Sequence, residues 1–154
     1  MSQDFDAIRY KLVEQQIRPW KVDDLEVLGT LHQIPRENFV SADQKVLAFI
    51  DTKLPLPGAK NASQVMLEPK MEARLLQALK PKRTDKALEV GAGSGYMAAL
   101  LAAHAKSVTT VDIDPEMVTL AKSNLARAYI SNVTVEAGDA YTGWGRSEEH
   151  TSEL

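Results

Sequence analysis

The stretch that most constrains the fold of this chain is LEVGAGSGY, Leu88–Tyr96. Lys86–Val90 reads as a short strand that runs straight into Gly91, Gly93 and Gly95. Glycine adopts positive φ without steric cost and lets a ligand approach the backbone. A helix is predicted from Gly95 to about Ala105, and its first free N–H groups would point at the same turn. A strand, a glycine turn and a helix open a βαβ unit, and open α/β sheets bind ligands beside the carboxyl ends of their strands.

The pattern continues in the same rhythm. Ser107–Ile113 is a second predicted strand, and Asn132–Ala137 a third. Between them Asp114 is placed as a helix N-cap with Pro115 at the first helical position. Met117, Ala121, Leu125 and Ala128 fall on one face of that helix. Such alternation of strand and helix implies a parallel, right-handed βαβ sheet.

The N-terminal region reads differently. Phe5, Ile8, Leu12 and Val13 recur at helical spacing up to Pro19. Asp23 with Glu26 three residues later forms a capping-box pattern, followed by a short helix burying Leu25, Leu28 and Leu31. Glu37–Ile50 suggests a turn and a further helical piece. Residues 52–67 carry two prolines and a glycine and read as a loop. Helix resumes at Pro69, with Met71, Leu75, Leu76 and Leu79 as its expected buried face. Trp20 is read as a packing anchor, Asp51 as a turn acid, and Lys80–Arg83 as a solvated helix end.

Composition narrows the function classes. At 154 residues, with 44% hydrophobic and 25% charged residues, the chain reads as one soluble globular domain. A net charge of −3 argues against a nucleic-acid or membrane-surface partner. The absence of cysteine excludes disulfides and thiol chemistry. The N-terminus lacks the basic start and apolar stretch of a signal peptide. The longest mostly apolar run, Met97–Ala105, is too short to span a bilayer. A cytoplasmic location is expected. No spacing makes His32 or His104 a metal ligand, and no metal is expected.

Glycine spacing separates two cofactor classes. A dinucleotide site takes G-x-G-x-x-G. Here the third glycine follows the first by four positions, giving E-x-G-x-G-x-G from Glu89 to Gly95. Asp112 ends the second strand 21 residues after Gly91, where a carboxylate could accept from two ribose hydroxyls. An acid at this place is common to both classes, so the spacing decides in favour of S-adenosylmethionine over NAD. Gly138–Ala140, GDA, follows the third strand, where methyltransferases recognise adenine. The competing reading is that these glycines only make tight turns.

The chain resembles the protein-L-isoaspartate O-methyltransferases from Asp4 to about Gly145. The stretches that carry the resemblance are VEQQIRPW (Val13–Trp20), PRENFV (Pro35–Val40), LPL (Leu54–Leu56), EPKMEARLLQAL (Glu68–Leu79), LEVGAGSGYMAALLA (Leu88–Ala102) and NVTVEAGDAYTGW (Asn132–Trp144). The glycine motif is shared by many methyltransferases, and the N-terminal stretches are the more specific ones. The resemblance implies an α/β, Rossmann-like S-adenosylmethionine-dependent methyltransferase fold. Here it is incomplete, with strands 1–3 of a parallel sheet preceded by N-terminal helices.

By position, the resemblance assigns Glu89, Gly91, Ala92, Gly93, Ser94 and Gly95 to the methionine and ribose side of S-adenosyl-L-methionine. Asp112 would take the ribose hydroxyls, and Asp139 and Ala140 the adenine edge. The implied partner is a protein or peptide carrying isoaspartate, methylated on a side-chain carboxylate. Such an acceptor is already ionised at neutral pH and needs no strong base, so no catalytic residue is assigned. Leu88 and Val90 are read as core strand residues.

The sequence departs from the family on the acceptor side. The family's run close to T-I-S-A-P-H-M-H-A is VMLEPKMEA here, Val65–Ala73. Leu67 stands at the serine position and Glu72 at the second histidine position. The preceding loop is altered and about four residues longer than the family pattern. This divergence leaves open a methyltransferase with another acceptor. An NAD-binding domain, disfavoured by the glycine spacing, and a non-catalytic interaction fragment are the remaining alternatives.

The expected organisation is a helical, acceptor-side region over 1–80, the first half of a methyltransferase domain over 81–145, and a non-native tail over 146–154. Arg146–Leu154, RSEEHTSEL, has no hydrophobic period. It matches a translation of AGATCGGAAGAGCACACGTCTGAACTC, which looks like a common short-read sequencing adapter. The expectation is that the coding sequence is left near Gly145. In a family sheet of spatial order 3-2-1-4-5-7-6 this would leave strand 1 with an open edge and the cofactor cleft without one wall. Aggregation and weak cofactor binding are expected of such a chain.

Overall fold

The computed structural model of the protein describes residues 4–140 and the backbone of residues 151–153. The chain divides into two compact units, Met1–Leu79 and Lys80–Leu154.

The first unit is helical. Helix α1, Phe5–Lys11, starts at Asp4, whose carboxylate accepts from the Ala7 N–H. It runs on through a π-helical stretch, Leu12–Ile17, and a 3₁₀ turn, Arg18–Trp20. Leu12, Val13 and Ile17 are buried. Helix α2 is Leu25–Gln33. Its N-cap is Asp24 and not Asp23: the Asp24 carboxylate accepts from the N–H groups of Glu26 and Val27. The one-residue displacement follows from packing. Val27, Leu28 and Leu31 are buried, whereas Leu25 is 73% exposed.

Two 3₁₀ segments follow, Arg36–Phe39 and Ala42–Phe49. The 52–67 loop contains a two-residue antiparallel ladder, β1 (Leu54–Pro55) against β2 (Val65–Met66). Helix α3 is Pro69–Leu79, starting at the expected proline. Its buried face is Pro69, Glu72, Ala73 and Leu76, while Met71 is exposed. Of the expected face Leu76 is buried and Leu75 and Leu79 are half-buried, whereas Met71 points outward and the buried Glu72 and Ala73 stand in its place. Trp20 is also corrected: it is 52% exposed, with the Lys70 Nζ 4.5 Å from its ring centroid.

The second unit is α/β. Strand β3 (Lys86–Val90) leads through the glycine turn into α4 (Tyr96–Ala102). Strand β4 (Ser107–Asp112), α5 (Pro115–Arg127) and β5 (Val133–Ala137) follow. The sheet order is β5-β4-β3-β6, and every pairing is parallel. Asp114 caps α5 by accepting from the Glu116 N–H, with Pro115 at the helix start. Met117, Ala121 and Leu125 are buried on its inner face and Ala128 is half-buried. Leu88 is a core residue as expected, but Val90, at the mouth of the turn, is exposed.

Strand β6, Thr151–Glu153, differs from expectation. It pairs in parallel with Lys86, Ala87 and Leu88, on the edge expected to be open. An edge strand's row of N–H and C=O groups is a template for any extended segment. Main-chain pairing requires no hydrophobic period, which is why the sequence pattern did not reveal it. The expected family segment Tyr141–Trp144 and the seam at Gly145 lie outside the described residues.

Gly95 is where the fold depends most on a missing side chain. Its φ is +86°, and a Cβ there would lie 3.2 Å from Leu125 Cγ and 3.3 Å from the Ala121 carbonyl oxygen. Both neighbours belong to α5, so the glycine allows the start of α4 to approach that helix. Gly95→Ala is expected to destabilise the protein by about 2 kcal/mol or more, through left-handed strain and overpacking. A fall in the midpoint of urea unfolding checks this.

Candidate cofactor site

The register of β3, β4 and β5 sets the site. Val90 is level with Val111, and Asp112 with Ala137. Two bonds extend the ladders past the strand ends: Gly91 N–H donates to the Val111 carbonyl at 2.7 Å, and Gly138 N–H to the Asp112 carbonyl at 3.0 Å. Gly91, Asp112 and Gly138 therefore stand in one row at the carboxyl ends of three adjacent strands. This is the crevice position that open α/β sheets use for ligands. Strand β6 pairs only as far as Leu88, two residues short of that end.

The glycine turn is held by Asp112. One carboxylate oxygen accepts from Ala92 N–H at 3.0 Å and from Gly93 N–H at 3.5 Å, and the other from Asp114 N–H at 2.9 Å. All three glycines have positive φ: 92° at Gly91, 53° at Gly93 and 86° at Gly95. A Cβ at Gly91 would meet nothing within 4 Å, so the backbone there faces open space. Ala92 and Ser94 are buried. The Ser94 Oγ accepts from Tyr96 N–H at 3.3 Å, and its carbonyl accepts from Asn124 Nδ2 at 2.9 Å, which fastens the turn to α5.

Glu89 lies beneath the turn. It is buried and accepts from the Thr110 hydroxyl at 2.7 Å, across the β3–β4 ladder. Asp139 and Ala140, both half-buried, follow β5 directly after Gly138. Direct hydrogen bonds thus join Ala92 and Gly93 to Asp112, the Val111 carbonyl holds Gly91 beside them, and Gly138 fixes the start of the Asp139–Ala140 pair. A nucleoside with a ribose fits this donor and acceptor set. An ionised carboxylate has about four acceptor positions; Asp112 uses three on backbone N–H groups and keeps capacity for a hydroxyl. The open backbone at Gly91 gives a flat chain or sulfonium group room to approach.

In the first unit the run Val65–Ala73 is organised by a residue that sequence reading missed. Arg36 is buried and pairs with the buried carboxylate of Glu72. It also donates from Nε to the Ala48 carbonyl and from Nη2 to the Leu67 carbonyl, each at 2.8 Å. One guanidinium therefore fastens the 3₁₀ segment, the strand end before α3, and α3 itself. Burial raises the Glu72 pKa to about 7, against the opposing pull of the Arg36 charge. A second buried cation, Arg9, grips Glu37 through Nη1 at 3.0 and 3.1 Å and the His32 carbonyl through Nε at 3.0 Å. The only sequence signal for these pairs was PRENFV, where Arg36 and Glu37 stand beside the buried Phe39. Asp51 is not simply solvated: it accepts from Lys70 N–H at 3.2 Å, in the first turn of α3.

Comparison with known proteins is consistent over most of the chain. A family model described as protein-L-isoaspartate(D-aspartate) O-methyltransferase matches residues 8–149. Protein-L-isoaspartate O-methyltransferase 1 of Rhodopseudomonas palustris (strain HaA2) is 39% identical over 140 residues, 91% of this chain and 56% of its own length. The protein-L-isoaspartate O-methyltransferase of Picosynechococcus sp. is 36% identical over 138 residues, 90% of this chain and 60% of its own length. The chain thus spans a little over half the length of these relatives. A solved protein-L-isoaspartate O-methyltransferase covers 94% of this chain and 47% of its own, with a TM-score of 0.77 at 23% identity. A Plasmodium falciparum structure described as a beta-aspartate methyltransferase in complex with S-adenosyl-L-homocysteine covers 96% of this chain and 68% of its own. Its TM-score is 0.71 at 21% identity. At these identities the two structures show the fold, a Rossmann-like methyltransferase sheet preceded by helices.

Proposed function

Because this chain belongs to the protein-L-isoaspartate(D-aspartate) O-methyltransferase family, we propose that the protein transfers a methyl group from S-adenosylmethionine to the isoaspartyl carboxylate of damaged protein, among cytoplasmic proteins. The observation that carries this reading is the Gly91–Asp112–Gly138 row, in which Asp112 holds the turn and keeps capacity for a hydroxyl. S-adenosylmethionine would supply an activated methyl on sulfur. Asp112 would hold the ribose, the turn from Gly91 to Gly95 the methionine side, and Asp139 and Ala140 the adenine edge, with Glu89 buttressing the turn. Residues 1–80 would form the acceptor side and 81–145 the cofactor half.

The reaction requires little proton chemistry from the protein. A side-chain carboxylate has a reference pKa of about 4 and is already the nucleophile at neutral pH. Catalysis would rest on holding one oxygen in line with the methyl and excluding water. That agrees with a site built from backbone N–H groups and one carboxylate.

Leu67 favours a second reading, a methyltransferase with another acceptor. It supplies no hydroxyl where the family pattern has serine, and its carbonyl is engaged by Arg36. A missing hydrogen bond to a charged group weakens binding by roughly 1.5–3 kcal/mol. Methyl transfer from labelled cofactor to an isoaspartyl peptide, with the matching aspartyl peptide as control, tests the first reading. Label on the isoaspartyl peptide alone is expected. Transfer to other carboxyl acceptors but not to this peptide would support the second reading, and no transfer to any acceptor would refute both.

A further inference from the structure

We propose that the face formed by the Trp20 turn and the N-terminal half of α3 is a docking site for an acidic peptide segment carrying an apolar side chain. A cleft of about 330 Å³ opens there, lined by Pro19, Trp20, Lys21 and Arg74. Trp20 is half exposed. Lys70 stands with Nζ 4.5 Å from the Trp20 ring centroid, and Arg74 lies one helical turn further along α3. Lys70 thus stacks on the half-exposed indole, and Lys21 and Arg74 line the cleft beside it. Among the described residues neither Lys21 nor Arg74 makes an ion pair, and Lys70 is 3.8 Å from one Asp51 oxygen.

The turn that presents Trp20 is pinned in advance. Lys21 sits at φ 63°, a conformation uncommon for a residue with a side chain. Gln77 of α3 holds this backbone with three bonds. Its Nε2 donates to the Lys21 carbonyl at 2.8 Å, and its Oε1 accepts from the N–H groups of Asp23 and Asp24 at 2.9 and 3.0 Å. A pre-ordered surface loses less entropy on binding. Exposed tryptophan and arginine side by side are the residue types that dominate binding energy at interfaces. The cleft is the size of one or two side chains. An apolar group would cover the indole and Pro19, and flanking carboxylates would meet Lys21, Lys70 and Arg74. The chain's net charge of −3 makes this basic face an exception on an acidic protein and sets it against nucleic acid as occupant. The site does not depend on the methyl-transfer reading.

Fluorescence polarisation with a fluorescein-labelled Glu-Glu-Leu-Glu-Glu peptide tests it, with Lys-Lys-Leu-Lys-Lys and a single-stranded oligonucleotide as comparison probes. The acidic peptide is expected to bind the 154-residue chain and the other two are not. Trp20→Ala and Arg74→Glu should each weaken binding by at least about fivefold, and Arg83→Glu, on an exposed residue elsewhere, by less than about twofold. Arg74 is exposed on a helix face, so Arg74→Glu leaves the fold intact even if Trp20→Ala disturbs it. Absence of acidic-peptide binding, equal binding of either comparison probe, or unchanged binding to Arg74→Glu would overturn the proposal.

Discussion

Glu72→Ala is expected to cost the protein about 3–5 kcal/mol of folding stability, the largest effect of any single substitution considered for the first unit. The reason is Arg36. Its guanidinium is buried, and alanine would remove the buried carboxylate with which it pairs. A carboxylate stranded in this way can take up a proton, but a guanidinium cannot lose one at any ordinary pH. Glu72→Gln keeps the shape and an acceptor oxygen and should cost less. The same pair sets a pH dependence. Burial holds Glu72 near 7 in the fold, against a reference of 4.5, with nearby Glu68 adding to the rise and Arg36 opposing it. The folded state therefore binds more protons than the unfolded state between about pH 4.5 and 7. The contribution is fully present below the unfolded value and is lost as pH rises through the folded one, at up to about 1.4 kcal/mol per pH unit. Urea unfolding at several pH values should show that decline in the native chain and not in Glu72→Gln. Parallel curves for the two would contradict it.

In the full-length gene product, Asp112→Ala is expected to weaken S-adenosylhomocysteine binding by ten- to a hundredfold while the protein still melts cooperatively. The carboxylate makes two contributions that alanine removes together. It orders the turn by accepting from Ala92, Gly93 and Asp114 N–H groups, and it would accept the ribose hydroxyls. Each hydrogen bond to a charge contributes roughly 1.5–3 kcal/mol, and about 1.4 kcal/mol corresponds to a factor of ten in affinity. Asp112→Asn separates the contributions. It retains one oxygen for the turn but loses the charge, so it should fall between the native chain and Asp112→Ala. Calorimetric affinities changed by less than about threefold in Asp112→Ala would place the ribose elsewhere.

The α/β half was legible because its signals are local and agree with one another. The glycine turn, the Asp114–Pro115 helix start and the apolar face of α5 each fix a single geometry, and all three stand where the sequence put them. The place of Asp112 at the end of β4 was legible by spacing, although its grip on the Ala92 and Gly93 N–H groups was not. The helical unit was less legible because its core contains charge. Arg9, Arg36, Glu37 and Glu72 are buried by partners distant in sequence, and no periodicity announces such partners. The same blindness left Glu72 out of the buried face of α3, where Met71 was expected. Trp20 was assigned inward on its apolar bulk, yet it is presented outward by a turn that Gln77 pins from 57 positions later in the sequence. Strand β6 was invisible for a different reason: backbone pairing leaves no mark on composition.

The most direct test of the cofactor site is calorimetric titration of the full-length gene product with S-adenosylmethionine and, separately, with NAD. One-site binding of S-adenosylmethionine, at least about tenfold tighter than NAD and diminished in Asp112→Ala, is the predicted result. Tighter binding of NAD, or S-adenosylmethionine binding that is indifferent to Asp112, would contradict it.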